Sequence, residues 1–123
     1  MQITLQGNPP SLNKFAGRQN SWEYRNAKAE WTQLVWVMCR ASKERPPQPF
    51  DFASVEIKYY FKTHNRHDAD NYAGKFLLDG LTKAGVIKDD DMSHIKLSIS
   101  GGYDKLNPRT VITVTEIKED EEA

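Results

Sequence analysis

At 123 residues the chain is long enough for one domain of ordinary size and too short for two. Hydrophobic residues at 38 %, including Trp 3, Tyr 5 and Phe 5, exclude a disordered or fibrous chain, and no apolar run approaches the ~20 residues of a membrane span. One cysteine, Cys39, excludes an internal disulfide, and the 17 basic and 17 acidic residues cancel to zero.

That balance hides an asymmetry. Residues 116–122 hold five acids and one base, and without them the chain has 16 basic and 12 acidic groups, a net of +4. A polyanionic partner is permitted by charge and not demanded by it. The short, non-basic start Met1-Gln2-Ile3-Thr4-Leu5 lacks the pattern of a secretion signal, so a cytoplasmic location is expected.

In chain order, Gln2–Gln6 alternates polar and apolar residues and predicts a strand, and Gly7-Asn8-Pro9-Pro10-Ser11 interrupts it. A polar, basic loop follows over 13–20. Ser21 is an N-cap candidate for a helix over 21–43, with Tyr24, Ala27, Trp31, Leu34, Val35 and Met38 as its apolar face. Trp36 falls off that face, which leaves it at the surface or at an interface with a second copy of the chain. Arg45-Pro46-Pro47-Gln48-Pro49 ends the helix.

The stretch 53–62 alternates cleanly, placing Val55, Ile57, Tyr59 and Phe61 on one side of a second strand. A second helix is expected over 71–84, burying Ala73, Phe76, Leu77, Gly80, Leu81 and Ala84, with Gly85 at its C-terminal cap. A strand near 94–100, a hairpin-like turn over 101–108 and a last strand over 110–117 complete a β-α-β-α-β-β order. The fold expected is a single α+β (mixed α/β) domain over 1–117, with an acidic tail at 118–123.

Two acidic groups carry the chemistry: His67-Asp68-Ala69-Asp70-Asn71 before the second helix, and Asp89-Asp90-Asp91 after it. Carboxylates brought together repel unless a cation offsets them, and oxygen-rich sites suit Mg²⁺ or Mn²⁺. Helix capping by Asp68 or Asp70, and a solvated turn at 89–91, explain the same residues without any metal.

Residues 67–91 as a whole, with Asp-x-Asp-Asn, Asp-Gly-Leu-Thr-Lys-Ala-Gly and then adjacent acids, strongly resemble the RusA family of Holliday-junction resolvases. Asn8-Pro9-Pro10-Ser11-Leu12-Asn13 is similar to that family's Pro-Pro-Ser-x-Asn signature. The resemblance implies a homodimeric, Mg²⁺-dependent endonuclease (Mn²⁺ as substitute) that nicks four-way DNA junctions in symmetric pairs during recombination and repair. It implies Asp68, Asp70 and Asp90 as metal ligands, with Asp91 the neighbouring alternative, and Lys75 as a catalytic lysine. Lys75 lies one residue later than the family pattern places it, and an i,i+4 surface pair with Asp79 is its alternative reading. DNA contacts are implied at Asn13, Lys14 and Phe15, the last as a wedge or, equally, as a core or dimer-packing residue. Arg18, Lys62 and Arg66 are further phosphate contacts, joined by Arg25 and Lys28 on the first helix.

Three rival readings stand beside this one. Asp51, Glu56 and Lys58 mimic a restriction-endonuclease pattern on the second strand. A DNA-binding dimer without turnover would keep the same fold. A nuclease for other branched intermediates would need the same metal site.

Overall fold

The computed structural model describes residues 1–15, 17, 21–72 and 74–118, with only the backbone described for Asp70. Four strands and two helices form two layers: β1 (Gln2–Gln6), α1 (Trp22–Ala41), β2 (Ala53–Phe61), α2 (Lys75–Lys83), β3 (Ile95–Tyr103) and β4 (Arg109–Glu116). This is the α+β domain expected from the pattern of the sequence.

The sheet order is β1-β4-β2-β3. β2 and β3 run parallel, from Ala53 opposite Ile95 to Phe61 opposite Tyr103, while β4 is antiparallel to both β1 and β2. The hairpin expected over 101–108 therefore does not form, since β4 crosses past β2 to pair with β1. Burial explains the choice. Thr110, Ile112 and Val114 are buried on β4 and need a central position, whereas most of β3 is exposed. β3 also continues through Gly101 and Gly102, which oppose Tyr59 and Tyr60. A Cβ on Gly102 would stand 3.2 Å from the Tyr60 ring, so the missing side chain makes room for its neighbour.

Val55, Ile57, Tyr59, Ile112 and Val114 meet Val35, Cys39, Leu77 and Leu81 from the helices in one core. Ser21 caps α1, its hydroxyl accepting the Tyr24 N–H at 3.2 Å. The buried face of α1 is Trp31, Thr32, Val35 and Cys39, so Leu34 and Met38, expected inside, remain partly exposed. The reason is α2. Gly80 lets the two helices approach until a Cβ there would stand 2.5 Å from Val35 Cβ, which rolls α1 toward Thr32. Thr32 hides its hydroxyl by donating to the Phe76 carbonyl at 3.1 Å.

The second helix is shorter than expected, beginning at Lys75 and preceded by a separate 3₁₀ turn over Ala69–Tyr72. Ala73 lies outside the described residues. Gly85, at φ +77°, closes α2 as expected: its N–H donates to Thr82 and the Val86 N–H to Leu81, a left-handed cap.

Candidate active site

The loop after β1 is pinned from two sides. The Asn8 amide donates to the Tyr60 carbonyl at 3.1 Å, and the Thr110 hydroxyl donates to the Gly7 carbonyl at 2.8 Å. Ser11 then starts a 3₁₀ turn over Leu12–Phe15, its hydroxyl accepting the Asn13 N–H. Asn13 and Lys14 are exposed on this turn. Phe15, open to either a DNA wedge or a core role from sequence, takes the core: it is 2 % exposed and packs edge-to-face on Tyr24, which packs in turn on Phe76. A ring buried there has no face for a base, and it anchors the turn that carries Lys14. Arg18 lies outside the described residues.

The turn of Leu12–Phe15 touches the one at Ala69–Tyr72, so two motifs far apart in sequence become neighbours. Aromatic stacking holds the second turn in place. The His67 ring lies 3.7 Å from that of Phe61 and nearly parallel to it, and Tyr72 meets Phe61 edge-on. His64 stacks likewise on Tyr103. A cavity of about 140 Å³ borders Tyr59, Phe61, His67, Asp68, Tyr72 and Ser100. Tyr59 is 1 % exposed, and among the described residues its hydroxyl has no hydrogen-bond partner.

Asp68 is exposed, and Arg66 Nε donates to its Oδ1 at 2.8 Å, which raises the Arg66 pKa. The Asp70 side chain lies outside the described residues. Lys62 is exposed near the end of β2. Gly74, at φ +82°, stands between the turn and α2, where a Cβ would come 2.6 Å from Ile57 Cδ1. This left-handed residue separates the Ala69–Tyr72 turn from α2. The surface pair Lys75–Asp79 does not form. Asp79 instead faces Lys28 at 3.7 Å, and Lys75 is exposed with no ion pair among the described residues. Lys75 borders a narrow cleft with Pro10, Leu12, Asn71 and Tyr72.

The other acidic group follows α2. Lys88 bonds Asp51 at 3.2 Å, and Asp89 Oδ1 accepts the Asp90 N–H at 2.7 Å. Asp91 Oδ1 accepts from Ser93 N–H, Ser93 Oγ and His94 Nδ1, the last at 2.6 Å. These bonds, led by that from His94, hold the Asp91 carboxyl below the usual carboxylate range. Ligand atoms of Asp89, Asp91 and His94 all lie within 4.8 Å of one another. His94 was not singled out from sequence, although the Asp-x-x-His spacing within one turn is a readable sign. The Asp90 carboxylate has no partner among the described residues and is not in that group.

Among the described residues, one chain does not bring the two acidic groups together. Asp68 borders Ile99–Gly101, whereas Asp91 accepts the N–H of Ile95, about 13–20 Å back along β3. Nor does Glu56 join Asp51, which pairs with Lys88. Both acidic ends offer hard oxygen donors suited to Mg²⁺ or Mn²⁺, and a histidine stands at each, His67 beside Asp68 and His94 beside Asp91.

Residues 6–115 match the family model described as endodeoxyribonuclease RusA. The chain belongs to the RusA family. It is therefore an endodeoxyribonuclease that hydrolyses phosphodiester bonds, of a family that resolves Holliday junctions. The RusA match spans both acidic ends and the Asn8–Asn13 loop. No curated protein matches the chain. Among the described residues no helix is long and apolar enough to cross a membrane.

Proposed function

We propose that the chain is a Mg²⁺-dependent resolvase of four-way DNA junctions, acting as a homodimer with Asp68, Asp70 and Asp90 as metal ligands. The observation that carries this reading is the meeting of the Asn8–Asn13 loop, the Asp68–Tyr72 turn and Lys75 at one end of β2, all within the RusA match. Bound to these carboxylates, a divalent ion supplies an activated water and offsets charge at the phosphodiester.

The chain's own groups orient the substrate. Lys14, Lys62 and Lys75 extend exposed ammonium groups beside the Asp68 end, where each can meet a DNA phosphate. Arg66 holds Asp68 by its Nε while its remaining donors stay available to a second oxygen anion. Asp91 Oδ1 is engaged by its own turn, whereas the Asp90 carboxylate has no partner among the described residues, which favours Asp90 as the ligand carried over from the family motif.

The separation of Asp68 from Asp90 supports a dimer. β3 is an edge strand, and an antiparallel meeting of two β3 edges would set the start of one strand beside the end of the other. Each site would then join Asp68 to Asp90 of the partner subunit. Two such sites suit the twofold symmetry of a four-way junction.

The test is nicking of a labelled synthetic four-way junction in Mg²⁺, with a linear duplex of the same sequence as control. Paired nicks on the junction alone are expected, lost in Asp70→Asn and Asp90→Asn and kept in Asp91→Asn. Mixing Asp68→Asn with Asp90→Asn restores single nicks if the site is shared between protomers, since one of the two sites regains both acids. Junction binding without nicking in Mg²⁺ or Mn²⁺ would overturn the assignment.

A further inference from the structure

Gly80 brings α1 and α2 into contact at Thr32 and Val35, and beside that crossing the helices part. The cavity between them, about 600 Å³, is lined by helical residues only and includes none from either acidic segment. Arg25, Lys28, Thr32 and Trp36 follow one another at three- and four-residue steps along α1, and Lys83 faces them from the last turn of α2. Among the described residues no carboxylate lines the cavity. Asp79 reaches its rim, 3.7 Å from Lys28, and Lys83 has no acidic partner among the described residues. Arg40 adds a further cation, 5.7 Å over the exposed Trp36 ring.

We infer that this cleft binds the sugar-phosphate backbone of a DNA arm, apart from the strand being cut. The charge identifies the occupant: a row of cations along a concave groove complements a chain of phosphates. Trp36 supplies the flat apolar face on which a deoxyribose or a base can rest. The cations around the Asp68 end hold one arm near the acids. The α1–α2 cleft, built from other elements, gives the same protomer a hold on a second arm. A dimer then grips four arms with four basic surfaces. The inference rests on the reading that branched DNA is the substrate, and its test is independent of cleavage.

The experiment measures binding in EDTA, by fluorescence anisotropy, of a synthetic four-way junction across a salt series. Wild type is compared with the double variant Arg25→Ala/Lys83→Ala, whose fold is checked by circular dichroism and thermal midpoint. Each phosphate contact contributes about 0.9 to the slope of log affinity against log salt, so the variant should lose close to 2 in slope and bind about tenfold or more weakly at low salt. An unchanged slope overturns the inference. So does a change in sedimentation with the slope intact, which would give the cleft to a second copy of the chain. If the variant loses slope while wild type never nicks junctions, the cleft stands and the resolvase reading falls. If wild type nicks junctions and the variant keeps its slope, the reverse holds.

Discussion

The two acidic ends of the β2–β3 pair are built by opposite means. Around Asp68, position comes from distant residues: Phe61 under His67, Tyr72 against both, and the Asn8 loop pinned to Tyr60 and Thr110. Around Asp91, position comes from within six residues, through exposed hydrogen bonds from Ser93 and His94. The first end should fail when packing is disturbed anywhere along β2, and the second only when its own turn is changed. Ion pairs at the exposed turn are weak, whereas half-buried aromatic pairs add about 1 kcal/mol each beyond the area they bury.

The largest expected effect tests the packed end. Phe61→Ala removes the ring on which His67 and Tyr72 rest. It should cost roughly 2 kcal/mol in urea denaturation, less than for a fully buried Phe because Phe61 is only half-buried. It should also abolish nicking, with Asp89–Asp91 untouched. Retention of activity would show that the stack does not position Asp68.

Gly74→Ala comes next. Its Cβ meets Ile57 and its φ is left-handed, so a loss of about 1–3 kcal/mol is expected by thermal denaturation. A variant as stable as wild type would mean that the entry to α2 relaxes freely.

Asp91→Asn probes the local end, and here pH decides. Because the folded Asp91 pKa is lowered, the wild-type carboxylate stabilises the fold above the ordinary carboxylate value, and that contribution is lost as pH falls through the folded value. The gap in urea midpoint between wild type and Asp91→Asn should therefore be present at pH 7 and close below about pH 4. A gap independent of pH would refute the ionic contribution of the turn.

The smallest effect is that of Tyr59→Phe. Its buried hydroxyl has no partner among the described residues, so its removal should leave stability within about 1 kcal/mol of wild type and lean toward stabilisation. A larger loss would show that an ordered water binds that hydroxyl in the native protein.

Much of this molecule was legible in its sequence. Alternation located β1, β2 and β4 to within a residue or so, Ser21 and Gly85 marked helix ends, and the Asp-x-Asp-Asn and Pro-Pro-Ser motifs pointed to the RusA family. Three features were not legible, each for a physical reason. Leu34 and Met38 fit a helical stripe as well as Thr32 and Cys39 do, and only the contact at Gly80 chooses between them. Phe15 is as apolar as a wedge must be, and only Tyr24 and Phe76 show that the core takes it. The pattern in 101–108 suits a hairpin, but β4 gains more burial between β1 and β2.

By itself the sequence determined which residues are acidic, which alternate, where helices are capped and which family wording the chain carries. Those properties reside in side-chain chemistry and in periods of two and 3.6 residues, which local order expresses directly. Only the tertiary structure decided that Asp68 and Asp91 stand at opposite ends of one edge strand, that Lys75 escapes a pair with Asp79, and that Arg25, Lys28 and Lys83 share a cleft. These are relations between elements far apart in the chain. They follow from where strands pair and how closely two helices approach, which no local pattern encodes.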